Sequence, residues 1–237
     1  MSQELFLLCL TAASIGFVHT ILGPDHYLPF IVMSKAGKWS FKKTIWITIV
    51  SGIGHVGSSV VLGFAGIFLG VAVTKLVHLE SIRGELAGWL LIAFGFAYSI
   101  YGIKQIIRNK PHQHIHVHDD GTIHTHTHTH HQEHIHVHED EEKKSLTPWI
   151  IFTIFVFGPC EPLIPILMYP AARDSIWSTV IVSVVFGLIT IGTMLTVVIL
   201  AVKGIELFNL NRYERYTHFA AGVMVLLSGI AIQFLGL

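Results

Sequence analysis

The stretch HTILGPDHYLPF, residues 19–30, interrupts a segment that otherwise has the composition of a membrane-spanning helix. Within it, Asp25 and His26 follow directly after a Gly-Pro pair. Proline lacks the amide donor that a helix needs and clashes with the preceding turn, while glycine adopts conformations that other residues avoid. The pattern therefore predicts a helix that breaks at Gly23 and Pro24 and places polar groups in apolar surroundings.

The composition of the chain indicates that these surroundings are a lipid bilayer. Of 237 residues, 52% are hydrophobic and 13% are charged, whereas soluble domains carry about 25% charged residues. Apolar runs close to or longer than the roughly 20 residues that span a bilayer occur near residues 5–22, 44–74, 86–107, 148–169, 176–203 and 219–237. The sequence therefore predicts an all-α, polytopic membrane protein with six transmembrane helices.

The distribution of Lys and Arg predicts the orientation of these helices, because cytoplasmic loops collect positive charge. Twelve of the fifteen Lys and Arg residues lie in the loops after the first, third and fifth predicted helices. We therefore expect these loops to face the cytoplasm and both termini to face outward, in the cytoplasmic membrane of a prokaryote. The chain has no basic stripe with interleaved aromatic residues, so we expect no nucleic acid partner.

Two motifs recur at a fixed distance along the chain. A shift of 135 residues places GPDHYLP (23–29) on GPCEPLIP (158–165), and GIGHVGS (52–58) on GLITIGT (187–193). A shift of 134 residues aligns glycines of the third and sixth predicted helices. Because the offset stays nearly constant over three separate helices, the pattern indicates an internal repeat.

A unit of three helices crosses the membrane an odd number of times, so its second copy enters from the opposite side. The sequence therefore predicts two inverted three-helix repeats with broken first helices, residues 1–107 and 147–237. A loop of residues 108–146 joins them on the cytoplasmic side. This architecture is common in transporters, in which broken helices of the two halves surround a shared substrate site near the midplane.

The predicted breaks, at Gly23-Pro24 and at Gly158-Pro159, are each followed by a polar pair. Carboxylate, imidazole and thiolate groups bind divalent transition metals, and imidazole and thiolate favour nickel, cobalt, zinc and copper. His19 precedes His26 by two helical turns, and His55 lies in the second predicted helix. The predicted metal ligands are Asp25, His26, Cys160, Glu161, His55 and His19.

A second group of histidines lies in the predicted cytoplasmic loop, where twelve of the seventeen histidines fall. Alternate histidines would share one face of an extended strand, and Asp120-Gly121 between two alternating segments predicts a hairpin. An extended and a disordered loop would both bind metal. The loop histidines are His112, His114, His116, His118, His124, His126, His128, His130, His131, His134, His136 and His138.

The chain resembles the NicO and UreH-like nickel/cobalt transporters, which are related to TauE/SafE and LysE-type membrane proteins. The resemblance rests on GFVHTILGPDHYLPF (16–30) and FGPCEPLIP (157–165). In the family motif four residues separate the histidine from the Asp-His pair, whereas five separate His19 from Asp25 here. The resemblance therefore applies to Asp25 and His26 more directly than to His19.

These observations predict a transporter of a divalent transition metal that works by alternating access. Nickel and cobalt are the expected substrates, and zinc is left open. We expect no organic cofactor and no enzymatic activity, because no nucleophile-and-base pair stands out beyond the metal ligands. A homo-oligomer and a metallochaperone partner are both left open.

A thiol relay of the cytochrome c biogenesis type is one alternative, since such proteins share six helices and a Gly-Pro-Cys in the fourth. A relay needs two cysteines that can meet. The chain has two, Cys9 and Cys160. The position equivalent to Cys160 is Asp25, and Cys9 lies sixteen residues earlier, about 24 Å along a helix. This spacing argues against a disulfide.

An exporter of sulfite or a related sulfur-containing anion is the other alternative. Family relatives suggest it, and the N-termini of half-helices favour anions. Asp25 and Glu161 would repel such a substrate, and an anionic substrate does not explain the loop histidines. The sequence therefore favours a metal cation as the substrate.

Overall fold

The computed structural model describes residues 2–108, 112–117, 123–128, 146–158, 160–171, 176–207 and 211–235. The helices in these ranges are α1 (Gln3–Leu22), α2 (Leu28–Ala36), α3 (Phe41–Phe68), α4 (Val73–Arg108), α5 (Thr147–Phe157), α6 (Leu163–Ala171), α7 (Ile176–Glu206) and α8 (Thr217–Leu235). Short 3-10 helices at Pro24–His26 and Asn211–Tyr216 precede α2 and α8. The strands β1 (His112–Val117) and β2 (Ile123–His128) lie between α4 and α5.

Within the described ranges, five helical segments are long and apolar enough to cross a membrane: α1, α3, α4, α7 and the segment Tyr213–Leu235 that contains α8. The predicted fourth span, residues 148–169, instead consists of the short helices α5 and α6. Neither reaches the roughly 20 residues of a full span, because the chain leaves the helical path at Gly158. The prediction of a helical protein with several membrane spans is thus confirmed, but the predicted number of six spans is not.

Helix α4 begins at Val73, whereas the apolar pattern places its start near residue 86. The charged residues Lys75, Glu80 and Arg83 lower the hydropathy of the first turns, so the sequence assigns them to a loop. In the structure Glu80 and Arg83 form an ion pair one helical turn apart. Because these two charges neutralise each other, helix α4 includes a segment whose composition alone predicts a loop.

Helix α4 packs along α8 over most of the length of α8. Glycines make this approach close: a methyl group added at Gly95 would lie within 3.0 Å of the Leu226 backbone, and one added at Gly222 would meet the Ser99 backbone. Small residues at helix contacts let backbones approach each other in membranes, where the hydrophobic effect does not drive association. The aligned glycines of the two halves therefore serve internal packing.

Other helix contacts occur in reciprocal pairs. Helix α1 packs against α7 as α5 packs against α3, and α2 packs against α8 as α6 packs against α4. This reciprocity is the pattern expected of two related halves. The inverted orientation of those halves, and the division into residues 1–107, 108–146 and 147–237, stay predictions.

Two clusters of buried hydrophobic residues lie on either side of His55. One contains Phe30 and Phe155, with residues of α2, α5 and α7. The other contains Cys160 and Phe186, with residues of α1, α3, α6 and α7. His55 contacts Phe155 of the first cluster and Cys160 of the second. The polar residues around His55 thus lie between two apolar cores.

In the predicted cytoplasmic loop, β1 and β2 pair as antiparallel strands. The register places His112 opposite His128, and His116 opposite His124. This agrees with the predicted hairpin. Its turn at Asp120-Gly121 lies outside the described residues, as do the loop histidines His118, His130, His131, His134, His136 and His138.

Replacing Gly95 with alanine tests the contact between α4 and α8. Its Cβ would overlap the Leu226 backbone, and overpacking of this kind costs about 1–3 kcal/mol. We expect Gly95→Ala in detergent to have a lower melting temperature than the parent. Circular dichroism measures this temperature. Gly192→Ala is the matched control, because nothing lies within 4 Å of its added methyl group. Equal melting temperatures for the two variants would contradict this packing.

Candidate functional site

The first helix break brings His26 back towards the end of α1. Helix α1 ends at Leu22, and the Gly23 N–H donates to the His19 carbonyl at 3.0 Å. The His26 N–H then donates to the Gly23 carbonyl at 3.1 Å. A Cβ at position 23 would lie 2.5 Å from His26 Nδ1. The break therefore needs glycine for space as well as for conformational freedom.

The hydrogen bonds of His26 fix which ring nitrogen is available. Nδ1 lies 3.1 Å from the Gly23 carbonyl and 3.1 Å from Asp25 Oδ1. A carbonyl only accepts, so Nδ1–H donates, and in the neutral ring Nε2 then carries the lone pair. That Nε2 is buried and has no hydrogen-bond partner in the part of the chain that the structure describes, and the His26 side chain is 2% exposed. The break thus presents an unpaired ligand atom in the protein interior.

His55, on α3, is held in the same way by the end of α5. Its Nδ1 donates to the Phe155 carbonyl at 3.3 Å, and its Nε2 lies 3.5 Å from Cys160 Sγ. His55 is 1% exposed. Gly158 has no side chain here because a Cβ would lie 2.9 Å from His55 Nδ1. Both breaks therefore place a glycine beside a histidine.

Three imidazoles meet at the first break, and we call His19, His26 and His55 the three-histidine centre. The ring centroids of His19 and His26 are 4.7 Å apart, and those of His26 and His55 are 4.9 Å apart. One ring nitrogen of each lies within 4.8 Å of the others. Like that of His26, the Nε2 of His19 is buried without a partner. The arrangement could hold one metal ion between three nitrogens.

The second break contributes the thiol beside this centre. Cys160 is fully buried, three residues before the start of α6. Its N–H lies 3.1 Å from Glu80 Oε2 and 3.3 Å from Ser59 Oγ, so α3 and α4 hold the chain at this point. The Cys160 thiol is thereby fixed against the His55 ring. Pro159 lies outside the described residues.

The structure sorts the predicted ligands into different positions. It brings His19, His26 and His55 together and places Cys160 at the edge of the group. Asp25 hydrogen-bonds His26 and lies outside the converging set, so it orients a ligand rather than extending the set. Glu161 is exposed and is not part of the converging set. Its exposure follows from its position in the turn between the break and α6.

Sequence reasoning missed Glu80 and Arg83. Glu80 is fully buried, and its carboxylate contacts both the Arg83 guanidinium and the Ser59 hydroxyl. A Glu and an Arg three residues apart share one face of a helix, and this spacing was the available signal. Both were assigned to an exposed loop because they precede the apolar run.

Comparison with known proteins identifies a family. Residues 28–231 match the family model described as cytochrome C biogenesis protein transmembrane region. Neither the curated proteins nor the solved structures contain a match to the chain. The expected resemblance to the NicO and UreH-like nickel/cobalt transporters is therefore wrong. It rested largely on the motif at residues 16–30, most of which precedes the matched range.

The match also bears on the alternatives. It favours the thiol relay over the transport of nickel or cobalt, because the relay was the alternative of the cytochrome c biogenesis type. His55 and Cys160 lie within the matched range, whereas His19, His26 and Cys9 lie before or at the edge of it. The centre thus combines residues inside the match with residues outside it.

Proposed function

We propose a function from two premises: the chain belongs to the family of cytochrome c biogenesis protein transmembrane regions, and three buried imidazoles converge at its first helix break. The first premise makes the chain a multi-pass membrane protein and supports a role in cytochrome c biogenesis. The second supports the binding of one transition-metal ion within the membrane. We propose that the chain handles such an ion during cytochrome c biogenesis.

One observation carries the metal proposal. The Nε2 atoms of His19 and His26 are buried without hydrogen-bond partners, next to each other. A buried polar atom without a partner costs free energy, so an arrangement that leaves two together is explained by a ligand that both can bind. Neutral imidazole is a good ligand for zinc, copper, iron and nickel. His26 Nε2 carries a lone pair, and one ring nitrogen of each histidine lies within 4.8 Å of the others, which favours a cation.

Asp25 fits this proposal as a hydrogen-bond partner of His26, one of the proposed metal ligands. Metal-binding histidines commonly donate their second ring N–H to a carboxylate or a backbone carbonyl, which fixes the ring orientation and raises its basicity. His26 has both partners, Asp25 and the Gly23 carbonyl. His55 has the Phe155 carbonyl. The family match gives no support to transport of nickel or cobalt, so the proposal covers binding and leaves passage across the membrane open.

Metal titration of purified protein tests the centre. We expect a variant lacking residues 112–138, which removes the loop histidines, to bind one Co²⁺ or Zn²⁺ ion per chain. His26→Ala should abolish that binding, and Asp25→Asn should weaken it about 10–100-fold, as the loss of an outer partner does. Binding should also weaken at low pH, because protonated imidazole cannot coordinate.

The matched control for this titration is His78→Ala, since His78 is exposed on α4 and should not affect affinity. The full-length protein should bind additional ions through the loop. If His26→Ala bound the metal as tightly as His78→Ala, the three-histidine centre would not be a metal site.

A thiol relay is the second candidate, and two observations favour it. The family match points to it, and Cys9 packs against the hydrophobic cluster that includes Cys160. The sequence argument places Cys9 about 24 Å along a helix from Asp25, the position equivalent to Cys160, but the bundle brings both cysteines to one cluster. Both thiols are free. In a relay they would form a disulfide and pass two electrons and two protons to a partner disulfide.

Thiol counting distinguishes the two candidates. A relay predicts a reversible Cys9–Cys160 disulfide after mild oxidation with diamide, seen as the loss of both free thiols and lost in Cys160→Ser. The metal proposal predicts that Cys9→Ser binds the ion as the parent does. If the Cys9–Cys160 disulfide formed and His26→Ala did not change metal binding, the thiol relay would be the better supported function.

A further inference from the structure

The two helix breaks satisfy their backbone groups by different means. At the first break the chain uses its own neighbours: the Tyr27 hydroxyl donates to the Ile21 carbonyl at 3.2 Å, and His26 donates to the Gly23 carbonyl. At the second break the partners come from two other helices. Side chains of α3 and α4 reach the backbone on both sides of the break.

Arg83 holds the end of α5. One guanidinium nitrogen donates to the Val156 carbonyl at 2.8 Å and to the Gly158 carbonyl at 3.4 Å. The same nitrogen lies 2.6 Å from the Ser58 Oγ, which fixes it against α3. The last carbonyls of a helix have no partner within the helix and carry a partial negative charge. A cation therefore complements this helix end.

Glu80 holds the chain on the other side of the break. Its Oε2 accepts from the Cys160 N–H at 3.1 Å and from the Ser59 hydroxyl at 3.1 Å, while its Oε1 accepts from Arg83 at 2.5 Å. Glu80 is fully buried, and the Arg83 side chain is 16% exposed. A single ion pair thus contacts the backbone before Pro159 and after it.

Among the residues that the structure describes, no equivalent ion pair contacts the first break. The shift of 134 residues that aligns α4 with α8 places Glu214 and Thr217 at the positions of Glu80 and Arg83. Glu214 instead forms an ion pair with Lys38, and both side chains are largely exposed. The buried pair thus comes from the first half of the chain and contacts the break of the second half, which carries the thiol.

We propose that Glu80 and Arg83 are positioning residues, which hold the second break closed and keep the Cys160 thiol buried against His55. Two fixed points define the position of Cys160: the Val156 and Gly158 carbonyls before it and its own N–H. The paired charges are needed because one end of the break presents carbonyls and the other an N–H. This role concerns the geometry of the break and holds whether the centre binds a metal ion or exchanges thiols.

The rate at which N-ethylmaleimide alkylates Cys160 tests this role. In the full chain with Cys9→Ala, Cys160 is the single thiol, and its rate well below the melting temperature reports local opening of the break. Arg83→Lys retains the charge beside Glu80 but has one nitrogen in place of the two that separately contact Glu80 and the end of α5. Glu80→Gln retains an acceptor oxygen but leaves Arg83 without its carboxylate.

We expect Cys160 to be alkylated at least about tenfold faster in each of these two variants than in the parent, because local opening governs the rate. Glu85→Gln and Lys75→Met change exposed charges of the same helix and should leave the rate unchanged. Gly95→Ala controls for stability, because it weakens the α4–α8 contact away from the break. When Gly95→Ala and the parent are each measured the same number of degrees below their own melting temperatures, Cys160 should be alkylated at the same rate in both.

Two results would overturn the proposal. One is alkylation of Arg83→Lys and Glu80→Gln at the parent rate while both remain folded. The other is an equal acceleration in Gly95→Ala, which would make the ion pair a contributor to general stability. The metal titration of the three-histidine centre is read separately, so failure of the metal proposal would leave this test unaffected.

Discussion

A broken helix in a membrane must find partners for the backbone groups that the break releases, because lipid offers none. This constraint organises the whole structure. At the first break the partners are local side chains, and His26 becomes fixed in the process. At the second break they are the carboxylate of Glu80 and the guanidinium of Arg83. Loss of one member of a buried ion pair costs about 3–5 kcal/mol, since the other charge stays buried.

The same constraint explains the positions of the functional side chains. His26 and His55 each use Nδ1 to satisfy a carbonyl at or near a break. This use determines the tautomer and turns each Nε2 towards the interior. The hydrogen bonds that repair the backbone therefore also create the ligand atoms. A helix without breaks would give these histidines neither the carbonyl partners nor the shared space.

The sequence was sufficient for features that depend on neighbouring residues. The Gly-Pro breaks, the apolar spans and the histidines at membrane depth follow from local composition and spacing. Features that depend on contacts between distant helices were missed. Glu80 and Arg83 looked like loop residues because their partners lie in α3 and at the second break. Glu161 looked equivalent to His26, but the turn before α6 exposes it. The expected family was also wrong, because it rested largely on the short motif around His19, whereas the family match covers residues 28–231.

The metal binding and the thiol chemistry proposed above both involve one atom, His55 Nε2. In the neutral state the Cys160 thiol, 3.5 Å away, can donate its hydrogen to that nitrogen, which occupies the lone pair. His55 would hold a metal ion through this lone pair in place of the hydrogen bond, and the Cys160 thiolate would supply a further ligand, because thiolate is a strong ligand for the same metals. A disulfide removes the hydrogen altogether and leaves Nε2 free. The oxidation state of Cys160 would therefore decide whether a thiol competes for the third imidazole and whether a thiolate can supply a further ligand.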